Sequence, residues 1–368
     1  GFAIKSWEYS RLFLFLDMPS SLHISRKKET YPVRQPFLEY LAKYGRAIDM
    51  PISYNDLKRF DNTITLYDKH KNDSLWVTAL YPQYETQTLF DGLKKIYSIL
   101  KSGGDQSVHE HLNIERVDYC TFGNSNPFRI KIVNNYNDVY DYFYIKKPDA
   151  SRILGLELEH ILSPSRINYF SNQDTIVEEH IAGIPGDMFM ANYLLKPDHD
   201  QKRIAKEFVK FNERCLVRLL GDMRAYNFVF DITPDFEEAQ YRIRPIDFDQ
   251  QSYEGRKNLY LPQFFKENKP LVTLVQALFN KEVIKQYQSE ERTLIATRIK
   301  ASEKQLRDLL ASLKDEPLAP LDKITQLNKE ISDFFEIPFT SATTMTEILR
   351  KLLQTISDRY EKTKKLTL

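Results

Sequence analysis

The chain has 368 residues, enough for two or three packed units around large buried cores. Lys plus Arg number 52 against 51 for Asp plus Glu, a balance that argues against nucleic acid or an anionic membrane surface as partner. The two cysteines, Cys120 and Cys215, lie far apart in apolar segments, so buried, inert thiols are expected instead of a disulfide or a zinc site.

The longest apolar runs, such as residues 12–16, fall far short of the ~18 residues that cross a bilayer. No charged-then-apolar leader opens the chain, and a reducing cytoplasm is the expected location.

The first hundred residues mix short elements. Residues 36–44 read as a helix, 63–67 and 75–81 as a hairpin about the polar turn 69–73, and 86–100 as a helix stopped by Gly103-Gly104. That Gly-Gly pair marks the first expected boundary.

From Glu115 the pattern turns to strands: 116–122, 128–133 and 139–147, separated by the turns Gly123-Asn124-Ser125-Asn126 and 134–138. A helix over 150–162 follows, framed by Pro148 and Pro164, then strands over 167–170 and 175–181. Pro185 and Gly186 break the chain, and Ile204, Phe208, Phe211, Cys215 and Leu219 form the stripe of a long amphipathic helix over 201–220. Beyond Asp249 the pattern is helical, near 271–279, 290–313, 321–335 and 344–360, with no internal repeat.

The long helix runs into Leu220-Gly221-Asp222-Met223-Arg224-Ala225-Tyr226-Asn227, a strand at 228–230, and a second strand over 241–249 closing on Ile246-Asp247-Phe248-Asp249. An Asp-x-x-x-x-Asn by itself is also what a capped turn looks like. Placed between a long helix and two strands, it resembles the protein-kinase-like superfamily, closest in motif to the aminoglycoside phosphotransferase and choline kinase branch, where a Gly-Asp-x-x-x-x-Asn loop precedes a strand ending in Ile-Asp-Phe or Ile-Asp-Trp.

The resemblance implies an α+β, two-lobed protein-kinase-like fold with an antiparallel β small lobe and a mainly helical large lobe, preceded by an N-terminal α+β extension. The expected division is 1–108 for the extension, 109–183 for the small lobe and 184–368 for the helical lobe with the catalytic loop. Phosphoryl transfer rests on positioning and charge neutralisation, so the family needs an acceptor-facing carboxylate and oxygen ligands for magnesium. On this pattern Asp222 orients the acceptor hydroxyl and takes its proton. Asn227 and Asp247 hold Mg²⁺, with Asp249 as an additional or supporting ligand, and Arg224 stands where many protein kinases aim a lysine at the transferred phosphate.

The same resemblance casts Lys146, at the end of the third strand, as the lysine on the ATP phosphates. Its acidic partner is expected on the following helix: Glu157 shares a face with Ile153 and Ile161, and Glu159 is the alternative. The stretch 175–186 resembles a hinge strand running into a Gly-x-Pro turn, so the Glu179 carbonyl and Ile181 amide are the expected adenine contacts, with His180 a packing residue. The turn holding Gly123 and Ser125 sits where a glycine-rich loop covers phosphates.

Three departures accompany the likeness: Leu220 in place of the histidine usual before Gly-Asp, one glycine where the phosphate loop has several, and no Ala-Pro-Glu-like segment after Asp247. The expectation is an ATP- and Mg²⁺-dependent phosphotransferase acting on a hydroxyl acceptor, a small molecule first and a protein second. A pseudokinase scaffold and a transferase moving another part of ATP are the rivals.

Overall fold

The computed structural model describes residues 28–67, 71, 73–102, 111–121, 125–235, 239–336 and 342–367; the Gly103-Gly104 boundary and Gly123 lie outside them. The protein is α+β and divides into two compact units. One comprises, in its described part, residues 28–156 and 166–180; the other comprises 157–165 and 181–367. Residues 28–102, set apart in sequence as part of an extension, fold within the same unit as the strands that follow.

The strand-rich unit holds α1 (Gln35–Lys43), α2 (Tyr54–Leu57), β1 (Asn62–Tyr67), β2 (Asp73–Leu80), α3 (Gln83–Ser102), β3 (Leu112–Cys120), β4 (Phe128–Asn134), β5 (Val139–Lys146), the first half of α4 (Ala150–Leu162), β6 (Tyr169–Ser171) and β7 (Ile176–Glu179). Its strands make one seven-stranded sheet in the order β1-β2-β3-β4-β5-β7-β6, and each neighbouring pair is antiparallel. Alternation along β4 sends Phe128, Ile130 and Ile132 inward. They meet Leu89, Leu93, Ile96 and Leu100, one stripe of α3, together with Val117, Phe143, Ile145 and Val177. Cys120, at the end of β3, is half-buried and not fully enclosed as its apolar neighbours suggested; Cys215 is buried, and the two are not joined in a disulfide.

The helix-rich unit carries β8 (Ile184–Pro185), α5 (Gly186–Asn192), α6 (Gln201–Arg218), β9 (Phe228–Pro234), β10 (Ala239–Pro245), α7 (Lys269–Leu278), α8 (Lys281–Ala301), α9 (Glu303–Ser312), α10 (Leu321–Phe335) and α11 (Met345–Thr367). The single helix read over 290–313 is two: α8 ends at a Ser302 cap with φ −119° and ψ 26°, and α9 begins there. Asp200 caps α6 by accepting the amides of Lys202 and Arg203. Among the described residues no helix is long and apolar enough to cross a membrane.

A three-stranded antiparallel sheet, β10-β9-β8, packs on α6. β10 is an edge strand, and α6 closes that edge with side chains. The Ile243 amide donates to Glu207 Oε1 at 2.9 Å, and Arg214 Nη2 donates to the Ile243 carbonyl at 3.2 Å. Glu207 and Arg214 are themselves ion-paired, so one salt bridge satisfies both backbone groups of an edge residue.

Candidate active site

The geometry around Asp222 begins with the way α6 stops. Leu219 takes the left-handed conformation, φ 55° and ψ 42°, and the Leu220 amide folds back on the Cys215 carbonyl at 2.9 Å. The chain then runs antiparallel to residues 250–252. Leu220 bridges Gln251, the Gly221 amide donates to the Gln250 carbonyl at 3.2 Å, and the Ser252 amide donates to the Leu219 carbonyl at 2.8 Å. A Cβ on Gly221 would sit 3.0 Å from the Gln250 carbonyl oxygen, so this close approach favours glycine. Asp222 follows at φ 58°, its amide donating to the Leu259 carbonyl at 3.2 Å. Three non-glycine residues with positive φ, Leu219, Asp222 and Ser252, therefore gather in one short strap. Such backbone costs persist where the surroundings over-determine the conformation.

The loop from Asp222 to Asn227 closes on itself. The Asp222 carbonyl accepts from the Arg224 amide at 2.8 Å and from Asn227 Nδ2 at 2.7 Å, and the Asn227 amide donates to the Arg224 carbonyl at 2.8 Å. Because the amide nitrogen of Asn227 is committed inward, its Oδ1 is the end left over, and no described residue donates to it. Asn268 Nδ2 braces the loop from outside by donating to the Met223 carbonyl at 2.8 Å.

The Asp222 carboxylate is held at one oxygen. Arg224 Nε donates to Oδ1 at 3.0 Å, while no described residue donates to Oδ2. Burial pushes this carboxyl up to about 6 against the pull of Arg224, and the charges of Glu254 and Glu267 add to the rise. Arg224 spends its Nη1 on Glu267 Oε1 at 2.8 Å and lies over the Phe265 ring. The sequence-based assignment aims Arg224 at phosphate; here it bridges two carboxylates. Glu267 and Glu254 were not singled out in the sequence, because they lie in short loops whose approach to Asp222 no local pattern signals.

Asp247 comes near this loop through backbone register. β10 pairs with β9 from Ala239↔Pro234 to Pro245↔Phe228, and the ladder continues with the Ile246 amide donating to the Asn227 carbonyl at 3.0 Å. Asn227 and Asp247 thus flank one strand end. The strand itself stops at Pro245, short of the expected Asp249, because Asp247 turns the chain: its Oδ1 accepts the Asp249 amide at 3.0 Å. Tyr226 is exposed beside them. Among the described residues no group of three or more His, Cys, Asp or Glu side chains is arranged to hold a metal ion. A cation here would rely on a mixed set of oxygens, the Asn227 amide and the Asp247 carboxylate. Magnesium suits that set, since it takes oxygen ligands and keeps several of its waters.

Lys146 Nζ donates to Glu178 Oε2 at 2.7 Å, a nearly buried ion pair. The register makes this pairing natural, for Glu178 faces Tyr144 and lies diagonally across from Lys146 on the same sheet face. The acidic partner sought on α4 is thus found on the neighbouring strand. Glu157 accepts from Gln305 at 3.4 Å, and Glu159 is ion-paired with Arg218. Glu179 ends β7, and its carboxylate accepts from the Asn168 amide at 2.7 Å. The Ile181 amide, just past the strand, has no hydrogen-bond partner among the described residues. His180 Nδ1 lies 3.3 Å from the Tyr144 hydroxyl, and burial lowers its imidazole pKa. Ser125 sits in a half-buried bend.

No protein-family profile matches the sequence, and no curated protein does. Among solved structures the chain is similar to the autoinhibited serine kinase domain of the giant muscle protein titin, at 12% identity over 66% of this chain and 92% of that one, with a TM-score of 0.26. A second, titin kinase and its flanking domains, aligns at 11% identity over 66% and 54%, with a TM-score of 0.25.

Proposed function

We propose that this protein is an ATP- and Mg²⁺-dependent phosphotransferase of the kinase-like class that phosphorylates a hydroxyl group, on a small molecule by first choice. The observation that carries the reading is the state of the Asp222 carboxylate. One oxygen is fixed by Arg224 and the other has no donor among the described residues, on a left-handed residue strapped at both sides. That is the arrangement a base needs to meet an incoming O–H in a fixed orientation.

When bound, magnesium supplies charge neutralisation for the nucleotide phosphates. The chain's own residues do the rest. The acceptor O–H donates to the second oxygen of Asp222, and its proton passes there as the acceptor oxygen bonds to the terminal phosphorus and the bridging P–O bond to ADP breaks. Asn227 Oδ1 and the Asp247 carboxylate are the proposed metal oxygens, with Asp249 supporting Asp247 through its backbone. Arg224 faces the transferred group in this reading, released in part from Glu267. Lys146, Ile181, Glu179 and Ser125 keep their proposed nucleotide assignments, with Glu178 as the acid that holds Lys146.

The test measures Mg²⁺-dependent ATP binding by calorimetry and then ATP consumption, with intact-mass analysis of products, in wild type, Asp222→Ala and Asp247→Asn. Expected are magnesium-dependent binding weakened tenfold or more in Asp247→Asn and turnover reduced at least about 100-fold in Asp222→Ala. Failure of wild type to bind Mg-ATP would sink the proposal. Binding with no Asp222-dependent turnover would assign the chain to nucleotide-binding scaffolds.

A further inference from the structure

The helix-rich unit contains a second concentration of charge that the proposed chemistry does not use. Arg218 at the end of α6 is 2% exposed and among the largest fully enclosed side chains. Its Nε donates to the Arg214 carbonyl at 3.1 Å and its Nη1 to Glu159, but its Nη2 is buried with no hydrogen-bond partner. Arg298 on α8 is half-buried, and its Nη1 is likewise enclosed without a partner. No described carboxylate lies within ion-pair distance of Arg298.

The two residues belong to one place. Lys206 and Lys210 pair with Glu290, Arg214 Nη1 lies 3.5 Å from Glu291, and Arg292 pairs with Glu213, so α6 and α8 run side by side through these rungs. Arg298 stands about two turns beyond Glu291 on the same face, and Arg218 about one turn beyond Arg214. Arg242 on β10, which reaches Ser165 at 3.4 Å, is near enough for its charge to act on Arg298. Burial holds the Arg298 pKa below its ordinary value; the pull of Glu291, next in size, opposes it, and the charges of Arg214, Arg242 and Arg218 add to the lowering.

The carboxylates here are Glu159, Glu207 and Glu291, against Arg214, Arg218, Arg242 and Arg298. Glu207 is already spent on Arg214 and the β10 edge, and Glu159 on Arg218. Three carboxylates thus face four guanidiniums, two of which each keep an enclosed donor, while Glu291 Oε1 is enclosed without a hydrogen bond. Buried polar donors are normally satisfied, and a guanidinium fork matches an oxyanion with paired N–H groups.

We propose that the Arg218–Arg298–Arg242 cluster is a binding site for a small oxyanion of the phosphate class, separate from the Asp222 loop. The anion accepts from Arg298 Nη1 and Arg218 Nη2 and supplies the missing negative charge.

The experiment follows thermal unfolding of the full chain as inorganic phosphate replaces chloride at constant ionic strength, with calorimetric titration of phosphate alongside. The proteins are wild type, Arg298→Gln, Arg242→Gln, Lys300→Gln as a same-charge control on the exposed side of α8, and Arg224→Gln, which takes away the guanidinium beside Asp222. Expected is a saturable stabilisation kept in Lys300→Gln and Arg224→Gln, with half-saturation at least tenfold weaker in Arg298→Gln and weakened in Arg242→Gln. Sulfate, as a tetrahedral oxyanion, is expected to act like phosphate. A response absent from wild type, or equal in wild type, Arg298→Gln and Arg242→Gln, would overturn the proposal and leave an adventitious ion only. Loss in Arg224→Gln with retention in Arg298→Gln would place the phosphate at Asp222 and also overturn it. Should Arg298→Gln fail to fold, Arg242→Gln and the wild-type calorimetry decide.

Discussion

Arg224 reaches Asp222 Oδ1 with its Nε at 3.0 Å and Glu267 Oε1 with its Nη1 at 2.8 Å, so one guanidinium ties a loop carboxylate to a turn that lies 43 residues beyond Arg224. Charge-assisted bonds of this kind fix geometry as well as charge. The orientation of the Asp222 carboxylate therefore depends on a side chain two residues away and, through it, on Glu267.

For catalysis under the proposed function, Arg224→Gln is expected to lower kcat by about 100-fold while the KM for ATP changes little, because orientation of the carboxylate matters most in the transition state. Steady-state kinetics at saturating magnesium check this. A proportional rise in KM with unchanged kcat would show that Arg224 binds substrate uniformly instead.

The raised pKa of Asp222 makes a stability prediction for the ligand-free protein. With its carboxyl held at about 6 against the ordinary 3.8, the native state grips this proton more tightly than the unfolded chain. The contribution is present below the unfolded pKa and is lost as pH rises through 6. At about 1.4 kcal/mol per unit the shift is worth at most about 3 kcal/mol. Asp222→Asn, which also tolerates the left-handed backbone, should match wild type near pH 4 and exceed it in thermal stability at pH 8. Equal melting at both pH values would refute the shift.

Lys146 and Glu178 are both nearly enclosed, and Glu178 Oε1 already lacks a partner. Removing the ammonium leaves a buried carboxylate alone, so Lys146→Met should cost about 3 kcal/mol or more in denaturant unfolding. The double change with Glu178→Leu should recover much of that loss. No recovery would show that the pair is not coupled.

Gly186 opens α5 where a Cβ would collide with the Phe228 ring and come within 2.5 Å of the Ala225 carbonyl oxygen. Gly186→Ala is expected to destabilise by about 2 kcal/mol and to disturb the turn that carries Asn227. Urea unfolding and magnesium titration of the variant report the two effects separately.

Much of the local structure was legible because it is written in short-range pattern. The prolines at 148 and 164 frame α4 over the residues expected, and the apolar stripe of α6 reads directly from Ile204 to Leu219. The alternation of β4 and the Asn-rich turn before β5 likewise announce their hairpin. What pattern does not reveal is register between distant segments. The Leu220–Gln251 bridge, the early end of β10 at Pro245 and the choice of Glu178 over a helical acid as the partner of Lys146 follow from pairings set by the whole sheet or loop cluster. The same is true of Glu267, which reaches Arg224 only because short 3₁₀ turns at 262–264 and 266–268 carry it back.

The closure of Ile243 by Glu207 and Arg214 bears on how this protein meets other chains. An exposed strand margin is the usual place for a foreign peptide, or a second copy, to lengthen a sheet. Here an invading strand would have to displace an ion pair anchored on α6 before it gained its first backbone bond at that residue, which turns a sticky border into a guarded one.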